Sequence, residues 1–335
     1  MTILKNCVTE NQPVLAVDLG GTKVAVALVS PQGQILEQIQ EPTCQTGPDD
    51  GIDQIARLLQ IIIDRTGIHQ QHLCGIGIGI PAVLEPETDF VIWGPNLNGW
   101  RNVALRPQLE SRFGLPVCVE YDGHTAALGE WWMGSGRGKR SAAVIIIGTG
   151  VGGGLILDGR LVRGMNRLAG AVGWFALTDC VADQVEENQR DRSLGFWEAR
   201  TAGPGIALRA RQLMEQEPGI HSSLAGKAET MTARDVFEAA QNDDAFALRI
   251  ANETADLLGI GIANVVSLVN PEVVILGGSV GANAGFLIPR ISEVVQRYAQ
   301  PISGRDVEIL PSRLGGEAGL LGAAYGLILR LNPNL

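Results

Sequence analysis

A surplus of positive charge, aromatic mass and long apolar runs are all missing from this 335-residue chain. Lysine and arginine total 26 against 36 aspartates and glutamates, a net charge of −10. A protein that grips a nucleic-acid duplex or an anionic membrane needs a basic patch. The longest basic cluster, Arg137-Gly138-Lys139-Arg140, is short and reads as a solvated turn. Aromatic residues make up only 5%. The five cysteines (Cys7, Cys44, Cys74, Cys118, Cys180) are an odd number with no C-x-x-C pair, which argues for reduced thiols rather than a disulfide framework. Residues 1–13 hold no apolar signal core. The most apolar stretch, Ala142 to Leu157, is too short and too rich in glycine for the ~20 apolar residues of a membrane span. The expectation is a soluble, cytoplasmic protein with neither nucleic acid nor membrane as partner.

What the chain has in excess is glycine, 43 residues, nearly twice the ~7% usual share. No Gly-X-Y period is present, so collagen is excluded. With 45% hydrophobic and 19% charged residues the composition is that of a globular enzyme. The length favours two domains. The glycines must therefore serve tight turns, close backbone approach or hinges.

Apolar runs at Val14–Val17 and Val24–Val29 flank Asp18-Leu19-Gly20-Gly21-Thr22-Lys23, and Gln34 to Gln40 reads as a third strand, giving a meander rather than a β-α unit. Helical spacing covers Ile52 to Arg65, followed by strands at Cys74–Ile80 and Val117–Glu120 and a helix from Thr125 to Met133. The plan then restarts. A strand at Ser141–Ile147 runs into Gly148-Thr149-Gly150-Val151-Gly152-Gly153-Gly154, with Leu155–Leu157 and Leu161-Val162 beyond. Helical patterns span Trp197–Gln216 and Ala245–Leu268. A strand at Val273–Leu276 meets Gly277-Gly278-Ser279, and a helix (Phe286–Tyr298), a strand (Val307–Leu310) and a last helix (Gly319–Leu331) complete the chain. Strand, glycine turn and strand thus occur twice, which predicts two similar lobes with a ligand cleft between them.

Each glycine motif has a plain reading beside a chemical one. Gly20-Gly21 can form an ordinary hairpin turn, or its N–H groups can approach phosphate, with the Thr22 hydroxyl and the Lys23 cation beside them and Asp18 holding Mg²⁺ through water. Gly148, Gly150 and Gly153 formally spell G-x-G-x-x-G, but a dinucleotide site needs a helix next, and here a strand follows. A hairpin gripping phosphate fits better. Gly277-Gly278 is either a tight strand–helix turn or bare backbone against a flat nucleoside. Asp122, just past a strand, can accept a proton from a hydroxyl or simply cap a helix.

Together these pieces resemble the actin/hexokinase superfamily of ATPases, and within it the ROK family of bacterial sugar kinases and sugar-responsive repressors. The resemblance runs from Val14 to Leu329. It rests on the three glycine motifs, on Gly75-Ile76-Gly77-Ile78-Gly79-Ile80-Pro81 and on Pro95-Asn96-Leu97-Asn98-Gly99-Trp100. It implies an α/β, two-lobed ribonuclease-H-like fold with an interdomain cleft. The small lobe would be residues 1–122, completed by a C-terminal helix at 316–331, and the large lobe 123–315. It also implies an ATP- and Mg²⁺-dependent sugar kinase, a hexose such as glucose as first substrate, and a homo-oligomer. Asp122 would be the base, and Asp18 would orient Mg²⁺. Gly20, Gly21, Thr22, Lys23, Thr149 and Gly150 would contact phosphate. Gly277 and Gly278 would flank adenosine, while Gly79, Asn96 and Glu198 would border the sugar.

The chain also departs from the family. Tyr121-Asp122 stands for the usual Asn-Asp. Gly170-Ala171-Val172-Gly173-Trp174 stands for Gly-Glu-x-Gly-His, so a sugar-binding glutamate and a histidine are absent. The cysteine cluster expected next is reduced to Cys180, with Phe196 at its last position. Four N/S ligands are needed for structural zinc, so no zinc is expected, and residues 182–192 would form a different loop. Trp174 can stack on a sugar face or pack where zinc held the loop. Fructose, mannose and N-acetylated hexosamines remain alternative substrates. A non-catalytic sensor is a further alternative. A repressor would need a helix-turn-helix module upstream, where only about a dozen residues precede the first strand.

Overall fold

The computed structural model describes residues 12–177, 195–217, 219–227 and 229–333. Cys7, Cys180 and the 182–192 loop lie outside them.

Two five-stranded sheets share one plan. The first is built from β1 (Val14–Leu19), β2 (Lys23–Val29), β3 (Ile35–Pro42), β4 (Ile76–Ile80) and β8 (Val117–Tyr121), in the order β3-β2-β1-β4-β8. The second is built from β9 (Ala142–Ile147), β10 (Val151–Leu157), β11 (Arg160–Val162), β12 (Val273–Gly277) and β13 (Glu308–Pro311), in the order β11-β10-β9-β12-β13. In each, three antiparallel strands are followed by two that run parallel to the first. The restart legible in the sequence is thus a repeat of topology.

The outer face of the first sheet is covered by α1 (Pro48–Thr66) and α2 (Leu105–Phe113). Ile52, Ile55, Leu58, Leu59 and Ile62 of α1 are all buried, as their spacing predicts, and Gly67 ends the helix in a left-handed conformation at φ 64°. The second sheet is covered by α4 (Phe196–Thr201), α5 (Gly203–Gln216), α6 (Ala233–Gln241), α7 (Ala245–Val269) and α9 (Ile288–Tyr298). Two shorter helices, α8 (Gly278–Asn283) and α10 (Pro301–Asp306), precede and follow α9.

Between the sheets lie α3 (Asp122–Trp132) and α11 (Ala318–Leu331). α3 packs on the second sheet through Ala127 and Leu128, and α11 on the first through Leu320, Ala323 and Ala324. Small residues let these layers meet. A Cβ on Gly77 of β4 would stand 2.0 Å from the Ala323 carbonyl oxygen, and one on Gly129 of α3 would stand 2.1 Å from that of Ala318. Much of the glycine excess is spent here, on backbone contact between helices and strands.

Several expectations are corrected. The glycine run at 148–154 is not all turn: the chain reverses at Gly148–Gly150, and Gly152, Gly153 and Gly154 belong to β10. A Cβ on Gly154 would press 2.7 Å from Ala127 Cβ of α3, so these glycines serve packing. The helix expected from Trp197 to Gln216 breaks at Ala202, which is extended, just before Gly203-Pro204. The helix expected from Thr125 begins at Asp122, with Tyr121 as N-cap. A small sheet of β5 (Val83–Leu84), β6 (Val91–Trp93) and β7 (Arg101–Val103), with α2, was missed. Among the described residues no helix is long and apolar enough to cross a membrane.

Candidate active site

The parallel strands of the first sheet bring three sequence-predicted residues into one row. Asp18 of β1 is level with Gly79 of β4, and Gly79 is level with Glu120, so Tyr121 and Asp122 follow at the carboxyl end of β8. That edge is where open parallel sheets bind ligands.

Asp122 does not cap α3. Tyr121 takes that place, and the Asp122 carboxylate accepts from the neighbouring Gly123 N–H, at 2.8 Å. Burial pushes its pKa up to about 6, and the Asp18 charge pushes it further in the same direction. Asp18 is likewise raised to about 6 by burial, against the pull of Lys23. Two partly buried carboxyls are thus poised near neutrality at the floor of the site. The Thr125 hydroxyl donates to the Asp122 carbonyl at 2.9 Å, and Gly79 leaves room for it: a Cβ there would be 2.6 Å from Thr125 Oγ1.

The first hairpin is closed by the Gly20 N–H to the Lys23 carbonyl at 2.8 Å. Its carbonyls are tied from outside. Thr43 Oγ1 donates to Gly20 O at 2.6 Å, Thr43 N to Thr22 O at 3.1 Å and Gln45 Nε2 to Gly21 O at 2.9 Å. The N–H groups of Gly21 and Thr22 have no acceptor among the described residues, and the Thr22 and Lys23 side chains are exposed. Anchored carbonyls with open N–H groups suit an anion.

The second hairpin has the same polarity. Gly148 N–H donates to Gly150 O at 2.9 Å, Gly148 O accepts from Gly203 N at 2.8 Å, and Thr149 is exposed. Here Glu198 joins in. Its Oε2 accepts from Val151 N at 2.7 Å, and a Cβ on Gly150 would stand 2.8 Å from that oxygen. Burial raises the Glu198 pKa against this bond.

Gly277 caps α8, and Gly278 sits at φ 79°, where a Cβ would meet the Ile147 carbonyl at 2.4 Å. Close approach to β9 accounts for that glycine by itself. Asn96 is exposed, and its carbonyl oxygen lies 2.8 Å from where a Cβ on Gly21 would be. Its loop, residues 93–101, lines a cavity of about 400 Å³ that includes neither Asp122 nor Glu198.

Gly319, Glu120 and His124 were not foreseen at the site. A Cβ on Gly319, at the start of α11, would stand 2.6 Å from Asp18 Cγ, so the last helix reaches the first hairpin. Tyr121, which stands where the family has asparagine, sits beside Asp122 and Glu198: burial, then these two carboxylates, push its pKa far upward. Its ring meets that of His124 edge-on at 5.2 Å. His124 is fully buried. Glu120 lies near the end of a strand and His124 in the first turn of α3, so their pairing across the strand–helix junction left no periodic signal in the sequence.

A kinase of the actin-like ATPase fold is the class that two such sheets, two open hairpins and a poised carboxylate define. The chain belongs to the ROK family, whose sequence pattern matches residues 14–329. It is 33% identical over 316 residues to a glucokinase of Halalkalibacterium halodurans, covering 93% of each chain. It superposes on a ROK family glucokinase from Streptomyces griseus, solved in complex with glucose and AMPPNP, with a TM-score of 0.77 at 30% identity, over 93% of this chain and 98% of that one. A xylose repressor of Caldicellulosiruptor bescii is 26% identical, over 92% of this chain and 76% of its own. The protein is an ATP-dependent carbohydrate kinase.

Proposed function

We propose that the protein transfers the γ-phosphoryl group of ATP to a hydroxyl of a hexose, with the glucose 6-hydroxyl first, in the cytoplasm. The observation that carries this is Asp122: a carboxylate at the sheet edge, raised to about 6, near Asp18 at the foot of the first hairpin, with Tyr121 between it and Glu198. Asp122 would take the proton from the sugar hydroxyl as its oxygen attacks phosphorus and the bond to the β-phosphate oxygen breaks. Gly20, Gly21, Thr22, Lys23, Thr149 and Gly150 would hold the phosphates, Gly277 and Gly278 would flank the adenosine, and Gly79, Asn96 and Glu198 would border the sugar. Positioning and charge neutralisation supply most of such catalysis.

Asp18 fits a Mg²⁺ site. Among the described residues no three His, Cys, Asp or Glu side chains gather for a metal. Mg²⁺ commonly binds through one or two carboxylates plus substrate phosphates, and the charge of Asp18 is opposed by Lys23 and that of Asp122 by His124. The ion, held by Asp18 through water, would neutralise charge on the phosphates. We place the lobe boundary at Asp122, with 1–122 plus 316–331 on one side and 123–315 on the other.

The test is coupled ADP release over glucose, fructose, mannose and N-acetylated hexosamines. Glucose is expected to give the highest kcat/KM. ADP release that ignores sugar altogether refutes the reading.

A pH series adds a sign. Asp122 must be ionised to act as base, so kcat/KM is expected to fall on the acid side of about 6. Stability moves the other way. Carboxyls raised in the folded state bind more protons there than when unfolded, so Asp18 and Asp122 contribute added stability as pH drops from about 6 towards 4. Thermal melts beside the activity profile check this, and the two curves moving together would contradict it.

A further inference from the structure

Behind Asp122 lies a buried ionic network that the hairpins and sugar-side residues do not use. At its centre is Asp89, fully buried in the turn between β5 and β6. Its Oδ1 is 2.5 Å from Arg167 Nη1, and its Oδ2 accepts from Arg330 in the last turn of α11 and lies 3.5 Å from Arg106 Nη1 of α2. Arg167 is only 7% exposed, and its Nη2 donates to the Val119 carbonyl at 2.8 Å and to Glu120 Oε1 at 3.1 Å. Glu120 also binds Arg163 Nε at 2.8 Å and His124 Nδ1 at 3.1 Å, while His124 Nε2 is 2.8 Å from the Ala169 carbonyl. Against the burial that would raise it, these partners hold Glu120 down at about 2.

The network spans elements far apart in sequence. Arg163, Arg167 and Ala169 follow β11 of the second sheet, whereas Val119 and Glu120 lie near the end of β8 of the first, Glu120 two residues from Asp122. Further along the same segment, a Cβ on Gly170 would lie 2.6 Å from Gly153 O, and one on Gly173 would lie 3.3 Å from Glu198 Oε2. One end of segment 163–174 is therefore clamped beside the base and the other rests on Glu198. Buried ion pairs add little net stability as a rule, but they fix geometry, and the planar guanidinium fork meets several acceptors at once where an ammonium cannot.

We infer that Arg167 is a positioning residue for the sugar: by bonding Asp89, Val119 O and Glu120 together it sets segment 168–174, and with it Glu198, relative to Asp122. This rests on the proposed roles of Asp122 and Glu198. Among the described residues no hairpin residue that would hold phosphate bonds to Asp89, Arg167 or Glu120, and Glu198 bonds to the second hairpin through Val151 N alone, so the ATP KM should change far less than the sugar KM.

Arg167→Met and Arg167→Lys decide it. The Met variant is expected to raise the sugar KM about tenfold or more while the ATP KM stays within about twofold, because small displacements of a positioned group cost large factors. The Lys variant keeps the charge, loses the fork and should fall between the two. Equal rises in both KM values, or a lower Tm with both unchanged, would show a merely structural role and overturn the inference. If Arg167→Met does not fold, Asp89→Asn replaces it, and absence of the same split there counts against Arg167. Amide hydrogen exchange on the sugar-free proteins reads the step without turnover. Exchange should quicken at 168–174 in Arg167→Lys and stay unchanged at 14–29 of the first hairpin and its strands, and unaltered exchange at 168–174 also overturns the inference. A wild-type enzyme that releases ADP regardless of sugar refutes the proposed function instead, and the exchange result still judges the clamp.

Discussion

Asp122→Asn is expected to lower kcat by about a thousandfold while leaving the sugar KM within a few-fold, because the amide has nearly the carboxylate's shape but accepts no proton. The bond from Gly123 N to Oδ1 at 2.8 Å can be kept by the amide oxygen. The substitution also removes a charge that burial and Asp18 make costly to hold. Thermal stability at pH 8 should therefore be unchanged or slightly higher, by up to about 1 kcal/mol. Loss of turnover without loss of stability marks a group kept for chemistry. Coupled ADP release gives the rate, calorimetric titration with sugar gives the binding, and a melt gives the stability. A variant retaining more than about a tenth of the wild-type kcat would remove Asp122 from the role of base.

The largest structural effect is expected at Gly322. A Cβ there would lie 1.5 Å from the Thr125 carbonyl oxygen, 2.4 Å from its carbon and 2.8 Å from Gly129 N. These are backbone atoms of α3 and cannot swing aside like a side chain, so α3 and α11 would have to separate. Gly322→Ala is expected to cost about 3–5 kcal/mol, at the severe end for one substitution. Relief by sliding the helices would shift Thr125, and with it the carbonyl of Asp122 that it bonds, so whatever folds should also turn over slowly. Gly226→Ala, with nothing within 4 Å of the new carbon, is the control, expected within about 0.5 kcal/mol of wild type. Urea midpoints compare them, and a Gly322→Ala protein as stable as that control would mean the two helices do not approach so closely.

What the sequence revealed was local. Asp18-Leu19-Gly20-Gly21-Thr22-Lys23 lies between two apolar runs, and the turn and its flanking strands follow from neighbours alone. The Ile55, Leu58 and Ile62 stripe places α1 for the same reason. Gly152 to Gly154 misled because a strand of glycines has no alternation of side chains to read, and its purpose, contact with Ala127, comes from a helix earlier in the chain. The break at Ala202 was signalled by Gly203-Pro204 and overridden by the helical spacing on either side. Asp89, Arg167 and Arg330 gave no sign of belonging together: they are separated by 78 and 241 positions from Asp89, and only folding brings their charges into one place.

The placement of α11 has a consequence for how the chain is made. Its Leu320, Ala323 and Ala324 cover β1 and β4, strands synthesised near the beginning. At ribosomal speeds of about 5–20 residues per second, the roughly 210 residues between β8 and the end of α11 take roughly 10–40 s to appear. Throughout that interval one face of the first sheet has no native cover. The early half of the nascent chain therefore carries an uncovered apolar face until the last turn of helix emerges, and a stop before residue 318 would leave it in that state.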